Sequence, residues 1–415
     1  MTMKLRVLPA STSLKGKRVV VRVDWNIPLA GQAADDDSLK LERSFATIRN
    51  LSERGAVVIL LTHLGRPKGR EMKYSTKKLA HIATVLSKIR VHFLGDAVDA
   101  GPGRKKLEAA LSSAKNGDVF LLENVRFYTG EEKNDPKLAA AFASLGELFI
   151  NDAFASCHRE HASVVGIAKK LPSYAGPSLE TEVAGLERLL TRPKRPFLAI
   201  IGGSKLSTKL DVLGALLKDA DRVLVGGAMA HAFFAAKKMQ IGTSYIEKEG
   251  VAAAKKLLKN PKIVLPVDAV VANKIVANAH PRVAPVTAIK KNEAMGDIGT
   301  ETMQLWSEEI KKAKTIVWNG TLGVTEMPVF SHGSLVIARA IASRSQGPCY
   351  GVVGGGDTLP VMLRSGMSEW VDHLSTGGGA MLEFIANGGT LPGLVPLIGS
   401  ATKASAKKKA SAKKK

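Results

Sequence analysis

FLAIIGGSK, residues 197–205, sets five apolar residues directly against two glycines, a serine and a lysine. The run is short enough for a strand and has no polar alternation, so both of its faces call for burial. Glycine after such a strand lets backbone N–H groups approach an anion closely, and the following helix offers its positive end. The pattern recurs three times: RVLV (222–225) precedes Gly226-Gly227, and YGVV (350–353) precedes Gly354-Gly355-Gly356-Asp357-Thr358. WVDHL (370–374), a run with charge in it, precedes Ser375-Thr376-Gly377-Gly378-Gly379. One glycine turn commonly does no more than shape a strand-to-helix bend. Four in one half of the chain point to a sheet edge built to hold a polyphosphate.

Outward from these turns, apolar runs alternate with amphipathic stretches almost throughout. The first half carries RVVVRVDW (18–25), AVVILLTH (56–63), VHFL (91–94), VFLLEN (119–124) and ELFINDAF (147–154). The second adds KIVLPVDAVVA (262–272) and TIVWNG (315–320). Strand–helix alternation with apolar strands predicts parallel sheets covered on both faces, with ligands outside the carboxyl ends of the strands. Pro172, Gly176 and Pro177 break the chain, ETEVAGLERLLTR (180–192) reads as one helix, and Pro193 and Pro196 precede the next strand.

At 415 residues, 45% of them apolar, two domains are expected. The division predicted is 1–175, a hinge helix over 176–195, a second domain over 196–388, a segment 389–399 packing back on the first domain, and a tail over 400–415. No apolar stretch reaches membrane-spanning length, and MTMKLRVLPASTSLKGKR lacks the apolar segment of a secretory signal. Cys157 and Cys349 lack metal-ligand spacing and read as small buried hydrophobes in a reducing cytoplasm. The formal charge is +23, and the last sixteen residues hold seven lysines and no acid, so +16 belongs to the rest. A body this basic fits highly anionic substrates or nonspecific contact with an anionic polymer. The Ala/Ser/Lys tail reads as a disordered, solvated charged segment.

The predicted strand ends of the first half carry a concentrated polar set. Asp24 and Asn26 follow the first, and His63, Gly65, Arg66 and Lys68 the second. Glu123, Asn124 and Arg126 follow another, and Asp152, His158, Arg159 and His161 the last. Arginine suits bidentate binding of phosphate and carboxylate, while Asp24 and Asn26 suit hydroxyl groups. Each has a plainer reading: a lone Arg is usually a solvated charge, a lone His usually caps or bonds locally, and Arg126 has Glu131 and Glu132 nearby to pair with. Repetition over four strand ends favours an anion site.

RVDWNIP, LLTHLGRPKG, LLENVRFYTGEEKND and INDAFASCHREHAS resemble the successive motifs of the phosphoglycerate kinase family. IGGSKLSTK, VGGAMAHAF, DIGTET, WNGTLGVTE, GGGDT and HLSTGGGAMLE are similar to the remaining ones, in the same order, so the likeness runs from about residue 4 to about residue 398. The resemblance implies an α/β chain of two Rossmann-like three-layer αβα domains with parallel sheets, joined by a hinge helix. It implies a monomeric cytoplasmic enzyme, with no membrane contact, that transfers phosphoryl between 1,3-bisphosphoglycerate/ADP and 3-phosphoglycerate/ATP with Mg²⁺. Asp24, Asn26, His63, Arg66, Arg126 and Arg159 would hold the phosphoglycerate. Gly203, Lys205, Lys209, Gly227, Asn319, Glu326, Gly355, Gly356, Asp357 and Thr358 would hold the nucleotide, with Asp357 also holding Mg²⁺. Gly377, Gly378 and Gly379 would meet the migrating phosphoryl, and Lys40, Arg43, Lys209 and Gly378 would act at the catalytic centre. Such a transfer asks for in-line positioning and charge stabilisation rather than covalent catalysis, and no GxxxxGK[ST] loop occurs here.

Departures are concentrated near that centre. LKLER (39–43) puts Lys40 where the family has an essential arginine, keeping the charge but losing the planar fork, and Arg43 lies three residues on. Thr208 stands in place of an Asp and is expected to cap a helix; Thr321 replaces the proline of WNGP, and Thr325 a common Phe. The competing reading is a catalytically weakened relative that binds nucleic acid or an acidic partner through the basic tail. Against it, aromatic content is 5% and the tail has no aromatic residue to stack on bases.

Overall fold

The computed structural model describes residues 3–27, 35–95, 98 and 101–399, with backbone alone at 35–37, 101 and 102; the tail expected over 400–415 lies outside the described residues. The chain divides into two compact units. Among the described residues the first takes 3–27, 40–180 and 390–399, and the second takes 35–39 and 181–389.

The first unit is built on six strands, β1 (Arg18–Arg22), β2 (Val57–Leu61), β3 (Val91–Leu94), β4 (Val119–Leu122), β5 (Leu148–Asn151) and β6 (Ser173–Ala175). They form one parallel sheet in the order β3-β4-β2-β1-β5-β6. Its helices are α1 (Asp35–Glu53), α2 (Lys77–Ser87), α3 (Gly101–Ser112) and α4 (Pro136–Ala143). Successive strand side chains point to opposite faces, which divides each apolar run between two cores. Val19, Val21, Val58 and Leu60 join Leu41, Phe45 and Ile48 of α1 and Leu79 of α2. Val20, Val57, Ile59 and Leu61 join Leu107 of α3 and Leu138 and Phe142 of α4. Covering both faces explains why the runs do not alternate. Each such buried side chain contributes about 1.5–3 kcal/mol relative to exposure.

Two segments distant in sequence complete this unit. Arg6 N donates to Leu397 O (2.7 Å), Leu5 bridges Ile398, and Val7 bridges Ala175 at the β6 edge. Gly393 N donates to Cys157 O at 2.8 Å, and a Cβ on Gly393 would lie 2.8 Å from the Cys157 Cα. The next helix, α5 (Pro177–Thr191), begins at Pro177 instead of being broken by it. A first helical position needs no N–H, so proline fits there. Asp152, just past β5, accepts from Ser178 N (2.8 Å) and Leu179 N (3.2 Å) and so caps this helix.

The second unit repeats the plan. β7 (Phe197–Ile201), β8 (Arg222–Val225), β9 (Ile263–Val264), β13 (Thr315–Asn319), β14 (Tyr350–Gly354) and β15 (His373–Ser375) form a parallel sheet in the order β15-β14-β13-β7-β8-β9. Its helices are α6 (Leu210–Asp219), α7 (Ala228–Ala236), α8 (Lys248–Leu257), α9 (Thr300–Lys312), α10 (His332–Ser345), α11 (Leu359–Arg364) and α12 (Gly379–Ala386). One face of the sheet packs Leu198, Ile200, Ile316 and Trp318 against Trp306, Ile310, Ile337 and Ile341.

Strand–helix alternation did not anticipate a small antiparallel sheet, β11-β10-β12, made by β10 (Asp268–Ala272), β11 (Arg282–Pro285) and β12 (Ala294–Ile298). KIVLPVDAVVA, read as one run, is divided between β9 and β10 with Pro266 in the gap. Proline cannot donate into a ladder, so it ends one strand before the next begins. WVDHL is likewise strand only in its last two residues, because Trp370 closes a 3₁₀ turn and β15 starts at His373.

Candidate functional site

At the carboxyl edge of the first sheet a buried arginine sits where the sequence showed only a strand end. Arg22, the last residue of β1, is 1% exposed. Its Nε donates to Ser163 Oγ (3.1 Å), and its Nη2 reaches Ser156 Oγ (3.2 Å) and His63 Nδ1 (3.0 Å). Glu131, also buried, accepts from Ser163 N at 2.9 Å, and Arg22 opposes the upward push that burial gives its carboxyl. Arg22 thus ties together the loops after β2 and β5 and the chain at 163.

The expected anion ligands gather around it. Asn26 Oδ1 accepts from Gly65 N (2.8 Å), and Arg126 Nη1 donates to Gly65 O (2.7 Å). Gly65 has φ +62°, and a Cβ there would meet the Tyr74 ring at 2.4 Å, so only glycine lets this loop close. Asn124 holds the same loop through Leu64 N (3.2 Å) and Leu64 O (2.8 Å). Arg126 Nη2 lies 3.6 Å from Glu132, while its buried Nε has no hydrogen-bond partner in the protein. An orphaned guanidinium N–H of this kind is what an anion would satisfy. Arg66 and Arg159 are exposed, and both lower the Arg126 pKa electrostatically, which puts the three cations in one neighbourhood. Asp24 lies half-buried beside Trp25, whose indole donates to Ser44 Oγ of α1 (2.8 Å).

The histidines supply shape here, not charge. Burial, and then Arg22, hold His63 well below its ordinary pKa, and the same two causes push His161 down to about 4. His158 is lowered by burial and then by Arg159, whose Nε donates to His158 Nε2 at 2.9 Å. Positive charge at this edge therefore comes from arginine. Cys157 is fully buried and its thiol is pushed up to about 12, so it is inert. On α1, Lys40 and Arg43 fall on the helical stripe of Thr47, whose hydroxyl donates to Asp152 (2.6 Å).

The second edge is made of backbone. Gly202 follows β7, Gly226 and Gly227 follow β8, Gly320 follows β13, Gly355 and Gly356 follow β14, and the Gly377–Gly379 turn follows β15. Gly227 has φ +61°, and its Cβ would lie 2.7 Å from Thr321 O and 2.8 Å from Gly203 N. Gly202 N donates to Asn319 O (2.9 Å) and Gly203 N to Thr321 O (2.8 Å), which locks the turn after β7 to the end of β13. Gly378 has φ +48°, and its Cβ would have Gly356 N as nearest neighbour at 3.9 Å, so these two turns lie side by side with space between them.

Lys209 is a desolvated cation at this edge. Its Nζ donates to Gly202 O (2.8 Å) and Asn319 Oδ1 (2.8 Å). Burial pulls its pKa down to about 8, with Asp357 opposing. Asn319 Nδ2 donates to Gly354 O (2.8 Å), so both ends of that amide are engaged in positioning Lys209 and the β14 turn. Thr358 Oγ1 accepts from Gly320 N (2.7 Å). Lys205, Glu326 and Asp357 are exposed. Thr208 does not cap: its hydroxyl donates to Lys205 O (3.1 Å) inside a 3₁₀ turn, Ser207–Lys209. A cavity of about 700 Å³ opens beside these turns, lined at one end by Gly203, Gly227 and Asp357 and elsewhere by Phe234, Ala269 and Met295.

Arg22 was missed because a basic residue ending an apolar strand reads as a surface charge. The one signal available was its position inside RVVVRVD, between apolar residues on both sides. Among the described residues no helix is long and apolar enough to cross a membrane.

A sequence model of the family described as phosphoglycerate kinase matches residues 10–388. A phosphoglycerate kinase of Thermus thermophilus is 45% identical over 392 residues, covering 93% of this chain and 98% of its own. One from Chloroflexus aggregans is 42% identical, covering 92% and 96%. Among solved structures, phosphoglycerate kinase from Coxiella burnetii superposes with TM-score 0.78 at 35% identity over 94% of this chain and 97% of that one. The enzyme from Pyrococcus horikoshii gives TM-score 0.82 at 30% identity over 93% and 97%.

Proposed function

The chain belongs to the phosphoglycerate kinase family, and from that premise we propose how its own residues divide the work. The activity is reversible phosphoryl transfer between 1,3-bisphosphoglycerate with ADP and 3-phosphoglycerate with ATP, the ATP:3-phospho-D-glycerate 1-phosphotransferase reaction of glycolysis. Toward ATP synthesis, a β-phosphate oxygen of ADP forms the new P–O bond while the bond to the glycerate carboxylate breaks, and that carboxylate leaves with the electron pair. The protein forms no covalent bond; its task is to align two anions and offset their charge.

The observation that carries the assignment is Lys209, desolvated and aimed by Gly202 O and Asn319 Oδ1 at the place where glycine turns converge. We assign it to the transferring phosphoryl group, together with the N–H groups of Gly378 and Gly379, while the Gly377 N–H is already given to Ser375 Oγ at 3.2 Å. Preorganised donors of this kind act without having to reorient as charge develops. Gly203, Lys205, Gly227, Gly355 and Gly356 cradle the nucleotide phosphates and Glu326 meets the ribose, while Thr358, fully buried, serves from behind by holding the Gly320 N–H. Asn319 serves by orienting Lys209. Asp357, exposed beside the open Gly356 turn, suits Mg²⁺, which needs few protein carboxylates when phosphate oxygens supply other ligands. Bound there, it would offset charge on the nucleotide phosphates.

On the first unit, Arg66, Arg126 and Arg159 hold the phosphate of the phosphoglycerate, with the orphaned Arg126 Nε as a waiting donor. Asp24 and Asn26 take its hydroxyl and carboxyl end, and His63, held neutral, lines the site. Arg22 positions these loops from beneath. Transfer requires the two substrates to be brought in line, and we assign that to closure about α5, with Lys40 and Arg43 adding positive charge from α1. We further assign it a monomeric, cytoplasmic setting.

The test is turnover with 3-phosphoglycerate and MgATP, read through a coupled dehydrogenase. Folded protein with no rate above background would overturn the reading.

A further inference from the structure

The turn that carries the two lysines of the second edge is held from outside by a carboxylate that does not belong to the phosphate-binding set. Lys205 precedes and Lys209 ends the 3₁₀ turn Ser207–Lys209, which leads straight into α6. The first N–H groups of such a turn have no partner inside it. Thr208 does not meet them, since its hydroxyl donates to Lys205 O. Glu247, the residue before α8, does: its carboxylate accepts from Ser207 N (2.8 Å) and from Ser207 Oγ.

The contact is packed as well as bonded. Gly250, in the first turn of α8, brings that helix close; a Cβ there would lie 3.0 Å from Glu247 Oε2 and 3.2 Å from the Leu206 Cβ. Leu206 is fully buried, and its carbonyl accepts from Lys209 N at 3.0 Å. Burial raises the Glu247 carboxyl, but bonds from Ser207 and the Leu206 N–H, with Lys205 nearby, outweigh it and leave the pKa below the ordinary value. A continuous path therefore runs from Glu247 through Ser207 and Leu206 to the Lys209 backbone. From there the Lys209 Nζ reaches Gly202 O and Asn319 Oδ1.

We propose that Glu247 is a positioning residue for phosphoryl transfer: by clamping Ser207 to the start of α8 it fixes the turn that aims Lys209 at the moving group. The proposal rests on the assignment of Lys209 to that group and deepens it. A lysine side chain is long and flexible, so its ammonium is preorganised only if the backbone beneath it is fixed. Glu247 also offsets part of the Lys205 charge, and that effect has the opposite sign. Removing the carboxylate would, by charge alone, tighten the binding of nucleotide phosphates and lower KM for ATP; losing the clamp lowers kcat.

The test is the kinetics of Glu247→Ala with 3-phosphoglycerate and MgATP. We expect kcat to fall about tenfold with KM for ATP within about twofold of wild type, since misplacing a reacting group acts on the transition state. Ser207→Ala keeps its N–H and should lose only about threefold, and the double variant should be no slower than Glu247→Ala, because both residues act through one contact. Glu247→Gln, which keeps an acceptor for Ser207 N, should recover most of the rate. A loosened Lys209 regains water, so the alkaline limb that it sets near pH 8 should move up by about one pH unit in Glu247→Ala. An unchanged kcat, or a lower kcat with the limb unmoved, overturns the proposal and leaves the kinase reading intact. If wild-type protein has no turnover, the kinase reading fails, and ¹⁵N NMR titration of the Lys209 ammonium, identified with Lys209→Met, decides the clamp: the same pKa in wild type and Glu247→Ala overturns it. Should Glu247→Ala fold poorly, Ser207→Ala carries the test, and an unchanged kcat there overturns the clamp.

Discussion

The two sheet edges face the same chemical problem, binding a phosphate-bearing anion, and they solve it with opposite materials. The first uses side chains: Arg66, Arg126 and Arg159, resting on the buried Arg22 and on loops closed by Asn26 and Asn124. The second uses backbone, glycine turns with Lys209 alone desolvated among them. A guanidinium fork reads a planar anion by shape, while a row of N–H groups follows a polyphosphate and tolerates its movement. The cost falls differently too. Side-chain sites need a buried scaffold to hold the arginines, and backbone sites need glycine wherever a Cβ would collide.

If the first edge depends on its scaffold, removing Arg22 should have the largest effect in the molecule. Arg22→Leu leaves Ser156 and Ser163 without their donor and takes away the largest countercharge acting on buried Glu131. The expected loss is about 3–5 kcal/mol in urea unfolding, confined to the transition of the first unit. A loss under about 1 kcal/mol would mean that the arginines stand without this support.

The second edge should break through one charge. Lys209→Met is expected to lower kcat by about 10²–10³-fold, the usual effect of deleting one preorganised donor. Its titration gives a further check. The ammonium form binds phosphate, and burial depresses the pKa from 10.5 to about 8, so wild-type kcat/KM for ATP should fall as pH rises through about 8. The same shift means that the unfolded chain holds this proton more tightly, so the Lys209 contribution to stability rises between about pH 8 and 10.5. A Lys209→Met profile that keeps the same alkaline limb would assign it to another group.

Much of the second edge was legible in the sequence, because strand and turn are contiguous there: FLAII with GGSK, YGVV with GGGDT. A local pattern reports a local structure. The first edge was legible only in part. Asn26, Arg66 and Arg126 stood out as polar residues after apolar runs, yet the bonds that hold them span long separations. Arg22 meets partners 41, 134 and 141 residues away. No period or propensity encodes such pairings; they follow from which strands become neighbours. The β10–β12 sheet escaped for a related reason. DAVVA reads as a strand in either sense, and only its pairing with β11 and β12 makes it antiparallel.

Glycines offer a graded test within the second edge. At Gly227 a Cβ would lie 2.7 Å from Thr321 O with φ at +61°, whereas at Gly356 it would meet nothing within 4 Å. Gly227→Ala should therefore lose about 1–3 kcal/mol of stability, and Gly356→Ala should stay within about 0.5 kcal/mol. Thermal unfolding of both, with and without ATP, separates packing from binding. Equal losses at the two sites would show that their glycines are present for a common reason other than steric room.

Lys40 joins the comparison at its weakest point, because it brings a compact ammonium where the first edge elsewhere uses arginine. It lies half-buried on α1, on the stripe of Arg43 and Thr47, and Thr47 is anchored to Asp152. A lysine there offers charge without the fork that would grip two oxygens of a transferring phosphoryl. If geometry limits the present enzyme, Lys40→Arg should raise kcat by about two- to fivefold, with KM for 3-phosphoglycerate little changed, because the gain would lie in the transition state. If Arg43 already supplies the fork, Lys40→Arg will leave kcat unaltered. In that case Arg43→Lys will lower it instead, and the two single variants together decide which residue of the stripe meets the phosphoryl group.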